Sequence, residues 1–138
     1  MTHSLFRRLF LGALVALGTS TAQAHHSFAV HFVGEAEGMI EVSGVVDEFR
    51  FSNPHGVLSF TVTGDDGEAV AWRAETNSPS VLRRRGWSKD SLKAGDEITV
   101  RGFPARDGTA YMRVSLITFA DGRELRGQAV MAPEEEQD

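Results

Sequence analysis

Residues 57–86 read VLSFTVTGDDGEAVAWRAETNSPSVLRRRG, and this stretch decides the fold class. Leu58, Phe60 and Val62 alternate with Ser59, Thr61 and Thr63. A period of two makes one face of a strand apolar and the other polar. Gly64-Asp65-Asp66-Gly67 supplies a hairpin turn. Val70, Trp72 and Ala74 then alternate with Ala71, Arg73 and Glu75. The pattern next changes to a short helix, with Ser78 as N-cap, Pro79 in the first helical position and Gly86 as the stop. Arg83, Arg84 and Arg85 fall in its last turn, where cations complement the helix dipole. They could also hold an anion, or pair with Asp90 or Glu75. Trp72 sits on the apolar parity and belongs to the core. Trp87 either lids the barrel end or offers an exposed stacking platform.

Upstream, Ile40 and Val42 begin a strand. Ser43-Gly44 interrupts it, and Val45, Phe49 and Phe51 continue on the other parity. A lone Gly with a parity switch suggests a bulge. Asn53-Pro54-His55-Gly56 is a turn. Downstream, Leu92 to Asp96 turns the chain into a strand with Ile98 and Val100 inward. After Arg106-Asp107-Gly108, Met112, Val114 and Leu116 alternate with Arg113 and Ser115. The order is three strands, a helix and two strands. It predicts a mainly β fold, a small five-stranded OB-like barrel with one short helix between strands 3 and 4. A small open sandwich is the alternative. The alternation fades after residue 120, so the barrel is assigned to 38–125 and an acidic disordered tail to 126–138.

The start of the chain has a different character. Arg7 and Arg8 precede an apolar run from Leu9 to Leu17, and Ala22-Gln23-Ala24 ends a small, polar stretch. This is the pattern of a cleavable signal peptide over residues 1–24. The run is well short of the roughly 20 residues that span a bilayer, so no stable membrane insertion is expected after cleavage. The paired Arg leave both the general secretory and the twin-arginine routes open. The mature protein is then periplasmic or secreted. Residues 25–37 form a His-rich arm.

Composition narrows the function. The 138 residues are 41% hydrophobic and 24% charged, which suits one globular domain. The absence of Cys excludes disulfides, thiolate metal sites and a Cys nucleophile. Net charge is −5, and losing the two Arg of the signal makes it −7. That opposes nucleic-acid binding. No nucleophile elbow, phosphate loop or zinc-protease motif occurs, so an enzyme is not expected. A copper oxidase or oxygenase remains a minor reading.

The histidines carry what chemistry there is. Cleavage after Ala24 makes His25 the first residue, whose amine and imidazole can chelate one metal together. His26 or His55 would supply a second imidazole, a three-nitrogen set that suits Cu(II). Cleavage after Ala22 instead puts His25 third, where amine, two amides and imidazole also hold Cu(II). Zinc bound by His25, His26, His55 and a carboxylate such as Glu75 is less favoured. His31 is a weaker candidate ligand. The bland reading is a frayed, solvated arm in which Phe28 and Phe32 dock and His31 stays at the surface. For His55 it is a turn whose imidazole bonds to backbone.

His25-His26-Ser27-Phe28, Asn53-Pro54-His55 and the run from Leu82-Arg83-Arg84-Arg85-Gly86-Trp87 through Ser88-Lys89-Asp90-Ser91-Leu92-Lys93-Ala94-Gly95-Asp96 together resemble a family of small exported bacterial proteins of unknown function. The resemblance covers about residues 24–125, with the third Arg, Arg85, as a departure. It implies a periplasmic location and a compact β fold, and no established activity. The leading expectation is therefore a periplasmic binding protein that holds copper through its mature N-terminal histidine. The alternative is a metal-free adaptor or ligand-binding module for a periplasmic protein or small ligand.

Overall fold

The computed structural model describes residues 31–33 and 38–127. The proposed signal peptide, His25, His26, Phe28 and the acidic end of the tail lie outside these residues. The elements are β1 (Ile40–Arg50), β2 (Val57–Thr63), β3 (Ala69–Glu75), α1 (Pro79–Arg83), β4 (Glu97–Pro104), β5 (Tyr111–Phe119) and β6 (Glu124–Arg126). Strand neighbours run β3-β2-β1-β4-β5-β6, and β3 also pairs with β5. That last pairing is parallel, Arg73 to Tyr111, Ala74 to Met112 and Glu75 to Arg113. It closes β1 to β5 into the expected five-stranded barrel, with α1 between β3 and β4. An open sandwich would leave β3 and β5 unpaired with each other.

The alternating apolar residues fill the barrel. Leu58, Phe60, Ala74, Val100, Met112 and Val114 have no exposed surface. The parity switch in β1 is real, but its position differs from the expected one. Val45 is 42% exposed and Val46 is 2% exposed. The inward series is therefore Ile40, Val42, Gly44 and Val46, and the register against β2 shifts between Val46 and Glu48. Asp47 is the extra residue, after which Phe49 and Phe51 face the core. Gly44 serves a different purpose from a bulge. A Cβ there would lie 2.4 Å from the Thr61 carbonyl oxygen, so only glycine lets the backbones approach. A second bulge corrects the reading of β5. Arg101 pairs with Leu116 and Gly102 with Val114, leaving Ser115 over. Beyond it Ile117 and Phe119 turn inward, and Leu116 is half-buried. Bulges sharpen strand bending, which a small barrel needs to close.

Helix α1 ends as its sequence signals predict. Gly86 has φ +83°. Its amide donates to the Arg83 carbonyl at 3.0 Å and the Trp87 amide to the Leu82 carbonyl at 3.1 Å, a Schellman closure. The turn delivers Trp87 into the core, where it is 2% exposed and packs on Phe49 at 5.8 Å between ring centroids. Trp87 is thus a lid rather than a stacking platform. Trp72 packs against the core and lies 6.2 Å from Phe60.

Two short segments wrap the barrel. Phe32, 5% exposed, bridges Ala105, and its neighbours bond to the same edge, Val33 N to Pro104 O and Arg106 N to His31 O, both at 3.0 Å. Strand β6 adds to β5 through Leu116–Arg126, Ile117–Leu125 and Thr118–Glu124. Order therefore continues through Arg126 and Gly127, past the point where alternation fades. Among the described residues, no helix is long and apolar enough to cross a membrane.

The close approach at Gly44 is testable by urea unfolding. Gly44→Ala should lower stability by about 1–3 kcal/mol, the usual cost of overpacking. Ser43→Ala, on the exposed face beside it, should stay within about 0.5 kcal/mol.

Candidate functional site

The seam between β3 and β5 gathers the polar side chains that sequence alternation sends away from the core. Glu75 and Arg113 are register partners there. Arg113 NH1 donates to Glu75 Oε1 at 2.6 Å and NH2 to Asn77 Oδ1 at 2.7 Å. Tyr111 donates its hydroxyl to Glu75 Oε2. The β1–β2 turn then brings His55 Nδ1 within 2.5 Å of Glu75 Oε1. One carboxylate thus anchors an imidazole, a guanidinium and a phenol.

The turn is held in place by backbone. The Thr76 amide donates to the Gly56 carbonyl at 2.8 Å and the Gly56 amide to the Asn77 carbonyl at 3.2 Å. Thr76, fully buried, adds its hydroxyl to the Gly56 carbonyl at 3.0 Å. The Asn53–Pro54 peptide bond within the turn is cis. On the other side, Asn77 Nδ2 donates to the Gly127 carbonyl at 2.6 Å, and Arg85 donates to that same oxygen. Trp87 Nε1 donates to the Arg126 carbonyl at 3.0 Å. The end of β6 is therefore fastened to the base of the cluster.

Burial is graded across the cluster. The side chains of Arg113 and Glu75 are 10% and 19% exposed, whereas that of His55 is 43% exposed. Burial lowers the Arg113 pKa from its ordinary value, opposed by the charge of Glu75. Its Nε is buried with no hydrogen-bond partner among the described residues. Tyr111 is pushed up to about 12, first by burial and then by its hydrogen bond to Glu75 and that carboxylate's charge. Its ring also packs on Phe32, 5.4 Å between centroids. The docked arm is thereby joined to Glu75, and through Glu75 to His55.

Of the residues singled out in the sequence, His55 enters this cluster, bonding to Glu75 instead of to backbone. Glu75 spends both oxygens on hydrogen bonds. His31 is exposed, two residues before Val33, while Phe32 beside it docks; Phe28 lies outside the described residues. Among the described residues, no three His, Cys, Asp or Glu stand close enough to share a metal. The basic run divides its work. Arg83 lies over the Phe51 ring at 5.2 Å, and Arg85 braces Gly127. Neither Asp90 nor Glu75 forms an ion pair with the run among the described residues; Arg113 takes Glu75 instead. Asn77, Tyr111 and Arg113 escaped the sequence reading. Arg113 and Tyr111 fall on the outward parity of β5, and only the parallel seam sets them beside Glu75.

Tyr111 is the one tyrosine of the chain, so phenolate absorbance reports it alone. Its titration midpoint should lie near 12. Because the folded state holds the proton more tightly, the stabilisation is complete below pH of about 10 and is lost as pH rises towards 12. Tyr111→Phe should abolish both the absorbance change and the part of the alkaline stability loss that it causes. A midpoint at the ordinary tyrosine value would disprove the packing around Glu75.

No curated protein matches the chain. The sequence profile of a family of unknown function, DUF6152, matches residues 13–113. This range takes in β1 to β4, the His55 turn, Glu75 and, at its last residues, Tyr111 and Arg113. The chain belongs to this family of unknown function.

Proposed function

We propose that this is an exported, periplasmic β-barrel protein that binds one copper ion through its mature N-terminus and His55. The observation that carries the reading is the contact between His55 Nδ1 and Glu75 Oε1 at 2.5 Å. A carboxylate on one imidazole nitrogen fixes the tautomer and leaves the other nitrogen's lone pair for a metal. The half-exposed His55 ring offers Nε2 in this way.

The arm supports the same reading. Phe32 packs on Tyr111, which bonds to the carboxylate that holds His55. His25 lies six residues before His31, and six extended residues reach roughly 20 Å. Removal of residues 1–24 would free the His25 amine within that radius. Amine, His25 imidazole and the His55 or His26 imidazole then form a nitrogen set that favours Cu(II) over zinc. Zinc would want a fourth donor, and Glu75 is already committed to three hydrogen-bonding neighbours. The metal-free ligand-binding alternative draws its support from a different face, where β1, β2, β4 and β5 form an open groove.

The test is the intact mass of protein purified from the periplasm, under native and denaturing conditions, followed by copper competition titration. The expected results are a chain starting at His25 and one copper retained natively. One extra residue before His25 should abolish the high-affinity site, and Glu75→Gln should weaken it about 10–100-fold, as loss of an outer hydrogen bond to a ligating His does. Affinity should fall on acidification, because amine and imidazole bind metal only when deprotonated. Unchanged affinity in the extended variant would sink the model.

A further inference from the structure

The outward faces of β1, β2, β4 and β5 form a groove of about 600 Å³, within the range of small-ligand sites. It is remote in register from Glu75 and owes nothing to the histidines. Its floor is ordered by strand pairing. Thr118 on β5 pairs with Thr99 on β4, and Thr99 pairs with Ser43 on β1. Thr63 on β2 lines the same groove. The result is a row of hydroxyls running across the strands at a spacing of roughly 4.8 Å. Ser43 and Thr99 bond to each other at 2.9 Å. The hydroxyls of Thr63 and Thr118 make no hydrogen bond among the described residues.

The flanks of this row define its ligand. On one side Glu41 pairs in register with Arg101, and Leu116 lies beyond Arg101. On the other side Val45, 42% exposed, lies between Glu97 and Thr61. Thr61 is held by Asp47 at 2.9 Å. The charged lining, two carboxylates and one guanidinium, is weakly acidic, as is the whole chain at −5. A polyanion is repelled. An extended peptide finds no free main chain at the centre of the groove, because β4 is paired with β1 and β5, β5 is paired there with β4 and β6, and strand addition needs unpaired main chain. What remains on offer is a line of groups that both donate and accept hydrogen bonds, bordered by Val45 and Leu116.

We infer that this groove binds a neutral oligosaccharide lying across the strands. Sugar hydroxyls would bond to Ser43, Thr63, Thr99 and Thr118, and the apolar C–H faces of the rings would pack on Val45 and Leu116. The repeat of a glycan chain is close to the strand spacing, so successive sugars meet successive strands.

The experiment is amide NMR on the isotope-labelled mature protein, with a chelator present so that the metal site plays no part. The probes are chitotetraose, cellotetraose and maltotetraose, with tetra-alanine and tetragalacturonate as comparators. At least one neutral sugar should shift the amides of Ser43, Thr99 and Thr118, with a Kd on the order of 1 mM. The Ser43→Ala, Thr99→Val double variant should weaken that binding about tenfold, the effect of one or two lost hydrogen bonds, while its spectrum elsewhere stays native. Unfolding of the double variant would be met by Thr118→Val, which removes a hydroxyl without a protein partner. No response to any of the three neutral sugars overturns the inference. So do shifts confined to another face, or tighter binding of either comparator.

Discussion

The parallel seam between β3 and β5 is the constraint on which the rest depends. Three residue pairs, Arg73–Tyr111, Ala74–Met112 and Glu75–Arg113, turn a curled sheet into a closed barrel. The inward member of the seam, Ala74 against Met112, is wholly buried. The outward members are ionisable, and closure forces them together. A buried guanidinium is tolerated only when paired and hydrogen-bonded. Glu75 and Asn77 meet that demand for Arg113, and Tyr111 takes the remaining carboxylate oxygen. The cluster is thus a consequence of closing a small barrel with charged residues at its seam.

That arrangement also explains the loops. His55 reaches Glu75 because Gly56 is clamped by Thr76 and Asn77 at the end of β3. Gly127 is fastened there because Asn77 and Arg85 both donate to its carbonyl. Phe32 covers Tyr111 from the other side. Three segments distant in sequence therefore share one anchoring point. The exposed ring of His55 is the chemically accessible member, held by partners that are themselves nearly buried. Rigid support behind an accessible imidazole is what a ligating histidine requires.

The two bulges divide the molecule's faces. Asp47 shifts β1 and Ser115 shifts β5, so each strand changes which parity faces inward. The hydroxyl-lined groove lies on β1, β2, β4 and β5, away from the seam. Metal reading and sugar reading thus occupy separate surfaces built by separate devices. One depends on a seam of charges, the other on a row of Ser and Thr. Either can stand without the other.

Local chemistry was written in the sequence. Strand alternation from Leu58 to Ala74, the Ser78-Pro79 start and Gly86 stop of α1, and the order of elements all follow from periods and turn residues acting over a few positions. His55 was legible as a candidate for the same reason, being an imidazole in an Asn-Pro turn. The exact place of a parity switch was not, because a bulge is set by how a strand must bend to meet both neighbours. Gly44 and Val45 resemble a bulge locally, and Asp47 became one. Nor could the sequence pair Glu75 with Arg113. They are 38 residues apart, on strands that touch only once the barrel closes, and each alone reads as a solvated charge. Short-range periodicity chose the elements; tertiary closure chose which charges had to satisfy one another.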